Sequence, residues 1–85
     1  MSLKVNGLEF SVKNDILLAR PMNKKDLCYL YKVPLKSLNR MLHRKPFVLR
    51  LIEIGYTPHE PILLTKKMVE MIFEHLGVIR VDDLL

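Results

Sequence analysis

The chain has 85 residues, of which 49% are hydrophobic, and a formal charge of +5. So short a sequence supports one modest core and leaves little room for a buried catalytic cavity. Its single cysteine, Cys28, excludes an intrachain disulfide and a multi-cysteine metal cage.

The charge is concentrated. Between Arg20 and Arg50 stand nine bases, Arg20, Lys24, Lys25, Lys32, Lys36, Arg40, Arg44, Lys45 and Arg50, against the single acid Asp26. That stretch is net +8 and the remainder net −3. A field gathered in this way attracts polyanions, whereas a dispersed one mainly keeps a protein soluble. No apolar run reaches the ~18 residues that span a bilayer, and Met1-Ser2-Leu3-Lys4 lacks the apolar core of a signal peptide. With the lone cysteine suited to a reducing compartment, a cytoplasmic location is expected.

In chain order, Val5-Asn6-Gly7-Leu8 carries the Asn-Gly signature of a two-residue hairpin, with Phe10-Ser11-Val12 alternating beside it. Lys13-Asn14-Asp15 breaks that pattern. Ile16-Leu17-Leu18-Ala19 then reads as a short apolar strand, closed by Pro21 and paired elsewhere. Asn23 is a helix cap, and Leu27, Leu30 and Tyr31 line one face of a first helix that ends near Tyr31. Lys32-Val33-Pro34 makes a turn, because proline suits the start of a helix and not its interior.

A second helix is expected over 35–44, with Leu38, Met41 and Leu42 on its apolar side and Lys36, Asn39, Arg40 and His43 on the opposite flank. Pro46 opens a third helix with Phe47, Val48, Leu51, Ile52 and Ile54 inward, stopped by Gly55. Tyr56-Thr57-Pro58-His59-Glu60-Pro61 is a loop by its prolines, and Ile62-Leu63-Leu64 is a brief strand that can pair with Ile16–Ala19. Thr65 caps a last helix whose Val69, Ile72, Phe73 and Leu76 fall at helical spacing before Gly77. The tail, Val78 to Leu85, alternates apolar and acidic residues and is free to dock, pair or fray.

The expected architecture is thus mainly α with a small β element. It divides into an N-terminal hairpin and strand segment over 1–22, a helical body over 23–77 and a tail over 78–85, with no linker or internal repeat between them.

Two short helices joined by a three- or four-residue turn, the second exposing polar groups, match the helix-turn-helix pattern. With Lys24 as the first of its twenty positions, Leu27, Cys28, Tyr31, Val33, Leu38 and Met41 fill the usual apolar slots. Cys28 stands where the helices approach closest and a small side chain is required. The departure is Lys32, at the turn position that usually holds glycine because the backbone there is left-handed.

On this reading the second helix enters the major groove of double-stranded DNA, and Lys36, Asn39, Arg40 and His43 reach base edges. Asn39 can pair bidentately with adenine and Arg40 with O6 and N7 of guanine. Lys24, Lys25, Arg44 and Lys45 would neutralise phosphates and set the register. The same features also suit a helical hairpin that merely packs and carries a solvated basic face.

From about Asn23 to Val78 the chain resembles a family of small uncharacterised proteins widespread in Bacteroidales genomes, catalogued as a domain of unknown function with a helix-turn-helix-like start. The likeness is carried by Lys25-Asp26-Leu27-Cys28-Tyr29-Leu30-Tyr31, Leu38-Asn39-Arg40-Met41-Leu42, Gly55-Tyr56-Thr57-Pro58, Leu64-Thr65, and Val69 through Ile72 to Leu76-Gly77. The family often has tryptophan where Met41 stands and proline at Lys66. The resemblance implies a four-helix, helix-turn-helix-like domain braced by its third and fourth helices, with a small strand pair as a wing. On the DNA-binding reading of the second helix, the expected role is that of a transcriptional regulator or mobile-element accessory factor.

No other chemistry is expected. His43, His59, His75 and Cys28 lack metal-ligand spacing, so no metal is assigned. Glu70 and Glu74, four apart beside Lys66 and Lys67, read as solvated helix carboxylates, and no nucleophile stands by a base, so no enzyme is expected. Gly7, Gly55 and Gly77 lie too far apart to form a phosphate loop, and neither a cofactor nor a small-molecule ligand is implied. The rival is a protein-interaction or dimerisation module in which Met22, Met41, Met68, Met71 and the Val78 to Leu85 tail form an apolar patch. A homodimer also fits DNA binding, since paired half-sites sharpen specificity.

Overall fold

The computed structural model describes residues 1–58, 60 and 62–84. His59, Pro61 and Leu85, which belong to the expected loop and tail, lie outside the described residues.

The chain begins with a three-stranded antiparallel sheet in the order β1 (Ser2–Val5), β2 (Leu8–Lys13), β3 (Ile16–Leu17). Val5 faces Leu8 across the expected hairpin, and Asn6 and Gly7 both take positive φ, as a two-residue turn between right-twisted strands requires. The expectation that Ile16–Ala19 pairs elsewhere is corrected. Asn14 and Asp15 also take positive φ, at 54° and 63°, and make a second tight reversal that pairs Leu17 with Val12. Asn and Asp are among the few non-glycine residues that tolerate this conformation, so Lys13-Asn14-Asp15 turns the strand back and does not end the sheet.

The outer edge of β3 is covered by the tail. Leu17 N–H donates to the Ile79 carbonyl and Val81 N–H to that of Asp15. Ile79 is buried, and Val81–Leu84 continues as one turn of 3-10 helix. Because that edge is taken, Leu64 does not pair with Ile16–Ala19 as expected. It bridges Met22 through two backbone hydrogen bonds of 2.8 and 3.1 Å. Both residues are buried, and each satisfies the other's polar backbone.

Four helices follow among the described residues: α1 (Lys24–Tyr31), α2 (Leu35–Leu42), α3 (Phe47–Glu53) and α4 (Lys66–Leu76). Asn23 caps α1 in a reciprocal box, its Oδ1 accepting from Asp26 N–H while Asp26 Oδ2 accepts from Asn23 N–H. Lys32 closes the helix in the left-handed conformation, at φ 57° and ψ 44°. The second helix, expected to reach Arg44, stops at Leu42. Pro46 disfavours helical backbone at Lys45, and the Arg44 carbonyl already accepts from Val48 N–H at the start of α3. Ile52, expected to face inward, is 44% exposed. Thr65 caps α4, and Gly77, at φ 112°, ends it.

One hydrophobic cluster joins the segments over 1–22, 23–77 and 78–85. Phe10 and Leu17 from the sheet and Ile79 from the tail are buried together with Leu27, Leu38, Leu51, Leu64, Val69 and Ile72. Tyr31 ties α1 to the end of α4, edge-on to Phe73 with its hydroxyl donating to the Gly77 carbonyl at 2.6 Å. The methionines named for the rival apolar patch serve the interior. Met22 and Met68 are buried, and Met41 and Met71 are half-buried against the core, because flexible thioethers fill the irregular gaps of a small interior.

Candidate functional site

The positive stretch is divided by the fold. Arg20, the first of its nine bases, belongs to the sheet, where its guanidinium donates to the Glu9 and Pro21 carbonyls and lies 6.0 Å from the Phe10 ring centroid. The sole acid, Asp26, is committed to the α1 cap. The remaining charged side chains of α1 and α2 themselves are basic.

Leu38 and Leu42 are buried beneath α2, which turns Lys36 and Arg40 to the opposite side. Both are exposed, one helical turn apart, and neither makes a hydrogen bond or ion pair with a described residue. No acidic residue lies on α2. Lys25, Arg44 and Lys45 are exposed as well.

The other two expected base-contacting residues are held from neighbouring elements. Lys24 Nζ donates to Asn39 Oδ1 at 2.8 Å, bridging α1 and α2. The His43 ring nitrogen Nε2 and the Tyr56 hydroxyl stand 2.7 Å apart, with their rings tilted at 55°. Lys24, expected at a phosphate, turns inward, its ammonium 5.2 Å from the centroid of the Tyr56 ring and so within cation–π range. Lys24, Asn39, His43 and Tyr56 therefore form one linked group across α1, α2 and the exit of α3. Burial lowers the Lys24 pKa and pushes that of Tyr56 up to about 12. The phenol stays protonated at neutral pH and remains able to donate.

Tyr56 is the participant that sequence reading missed, having placed it in a loop. Its local signal is an aromatic residue immediately after the left-handed Gly55, where the chain turns back and Tyr56 N–H donates to the Leu51 carbonyl. Nothing local signals its pairing with His43, thirteen residues away.

Two open hollows border α1. The larger, about 750 Å³, includes Lys24, Lys25, Leu35, Asn39, Leu63 and the exposed acid Glu60 in its lining. The smaller, about 600 Å³, brings Asn6 of the β1–β2 turn beside Lys25, Tyr29 and Lys32. Cys28 also borders it, its thiol pKa raised by burial. Among the described residues no group of three His, Cys, Asp or Glu side chains is arranged to hold a metal, and no helix is long and apolar enough to cross a membrane.

No protein-family model, no curated protein and no solved structure matches the chain.

Proposed function

We propose that the protein binds double-stranded DNA through a helix-turn-helix, in which α1 and α2 are the paired helices and α2 lies in the major groove. One observation carries this reading: Lys36 and Arg40 project together from the solvent side of a helix whose opposite side is buried, with Lys25, Arg44 and Lys45 exposed as well and the one acid of the basic stretch, Asp26, tied into a cap. Side chains of this type on a short helix reach base edges, and the surrounding cations neutralise phosphates and set register. The three-residue connection and the left-handed Lys32 supply the turn, and half-buried Cys28 is the small residue on the side of α1 next to it. The β1–β2 hairpin acts as a wing, its Asn6 tip sharing a hollow with Lys25 and Lys32.

A protein-interaction role has a smaller footing in Leu49 and Ile52, which are 50% and 44% exposed on α3. Salt separates the two readings. Contacts to phosphate release counterions and weaken steeply as salt rises, whereas an apolar interface hardly responds. Fluorescence anisotropy with a labelled duplex of mixed sequence is the test, at about 50 and about 200 mM salt. Micromolar or tighter binding that falls by orders of magnitude at the higher salt, and that weakens in a Lys36→Ala, Arg40→Ala variant, is the expected result. Absence of binding at low salt would overturn the DNA-binding reading and return the search to the α3 surface.

A further inference from the structure

We propose that Lys24 is a positioning residue that fixes the Asn39 side-chain amide with its NH₂ group outward, and that α2 thereby selects duplex sites with adjacent guanines on one strand. The inference rests on the DNA-binding reading above and adds a specificity to it.

An ammonium group has donors and no acceptor, so the Asn39 atom 2.8 Å from Lys24 Nζ must be the carbonyl oxygen. Oxygen and nitrogen of an amide are otherwise hard to tell apart, and here the partner removes the ambiguity. The NH₂ group is then directed away from Lys24 and makes no hydrogen bond to a described residue, while Asn39 borders the open hollow that Lys25, Leu35, Glu60 and Leu63 also line.

Bidentate pairing with adenine uses both ends of the amide, the NH₂ donating to N7 and the oxygen accepting from the N6 amino group. In this protein the oxygen already accepts from a cation, and that cation repels the partial positive charge of an N6 amino group brought to the same oxygen. Guanine presents two acceptors, O6 and N7, to which the outward NH₂ can donate without involving the oxygen. Arg40, next in sequence and exposed, is the residue type that pairs best with those same two atoms, and Lys36 adds a third donor. The exposed face of α2 thus offers donors at Lys36, Asn39 and Arg40. A run of guanines presents the matching acceptors along one strand, whereas an adenine run interposes an amino donor at every base. Burial depresses the Lys24 pKa, in keeping with an ammonium drawn in from solvent toward the amide.

The test compares affinities for duplexes of equal length and charge, one centred on a guanine run, one on an adenine run, and one in which 7-deazaguanine replaces the guanines and removes N7 while leaving base pairing intact. The wild-type protein should favour the guanine duplex over the adenine duplex by about tenfold or more, and should lose most of that preference with 7-deazaguanine. Lys24→Met should bring the guanine-to-adenine ratio toward one. Lys24→Arg, which still offers a donor to Asn39, should keep it. A Lys24 that served only as a phosphate contact would change both affinities together and leave the ratio where it was, which would overturn the positioning role. Salt-dependent binding with no preference, or with a preference for adenine, would overturn the inference and leave duplex binding standing. No salt-dependent binding to any of the three duplexes would overturn both. Melting curves of the two Lys24 variants confirm that the ratios compare folded proteins.

Discussion

Lys36 and Arg40 stand in solvent on α2, whereas Asn39 and His43, each three residues further along, are held by side chains from other elements. All four belong to one polar flank by helical spacing. Their different settings come from which neighbour reaches each: Lys24 of α1 meets Asn39 and Tyr56 meets His43, whereas no described side chain bonds that of Lys36 or Arg40. Helical periodicity therefore says which way a side chain points and leaves open whether it is already occupied. On the DNA-binding reading proposed above, the free pair would carry affinity and the held pair would present one defined face of each group.

Four variants put that contrast to the test. The largest effect should come from Leu38→Ala, which empties a fully buried position beneath both pairs. A loss of about 2–5 kcal/mol in chemical denaturation is expected, enough to disorder the free and the held side chains alike. Next, Lys36→Ala combined with Arg40→Ala should reduce duplex affinity by about ten- to a hundredfold while stability in the same denaturation assay stays within about 0.5 kcal/mol, since neither residue packs. A comparable loss of stability would show that the pair is structural and not free.

Tyr56→Phe removes the hydroxyl that meets His43 and should cost about 1 kcal/mol at neutral pH. It should also change the response to alkali. The folded state raises the Tyr56 pKa from 10 to about 12, so the folded protein holds this proton more tightly than the unfolded chain. Its contribution is fully present below pH 10 and is lost as pH rises toward 12. Tyr31, also raised by burial, acts in the same direction, and Lys24, lowered by burial, acts in the opposite one as it discharges. Melting temperatures across this range should therefore fall less steeply for Tyr56→Phe than for the wild type. The smallest effect belongs to Lys32→Gly. Relief of the left-handed backbone exceeds the added chain entropy by about 0.5–1 kcal/mol, so the variant should melt slightly higher, even though Lys32 Nζ loses its bond to the Asp83 carbonyl.

The parts of the fold that could be read in advance are those with a local cause. The Asn23 cap, the Asn6-Gly7 reversal and the Thr65 to Gly77 limits of α4 each depend on the intrinsic conformations of a few neighbouring residues. The second reversal at Asn14-Asp15 is equally local, and it was misread because a break in hydrophobic alternation resembles the end of a sheet as much as a turn within one. The exposure of Lys36 and Arg40 was legible for the same reason that Leu38 and Leu42 were legible as core, since one helical period sets both.

By itself the sequence determined a small helix-rich chain with a basic centre and the faces of its helices, because periodicity, caps and turn residues act over a few positions. Tertiary structure alone decided that the tail covers β3, that Met22 meets Leu64, that Arg20 is spent on the sheet, and that Asn39 and His43 are held by Lys24 and Tyr56. Each of these joins residues between 11 and 66 positions apart, through polar groups that have no preferred partner until the core has brought them together.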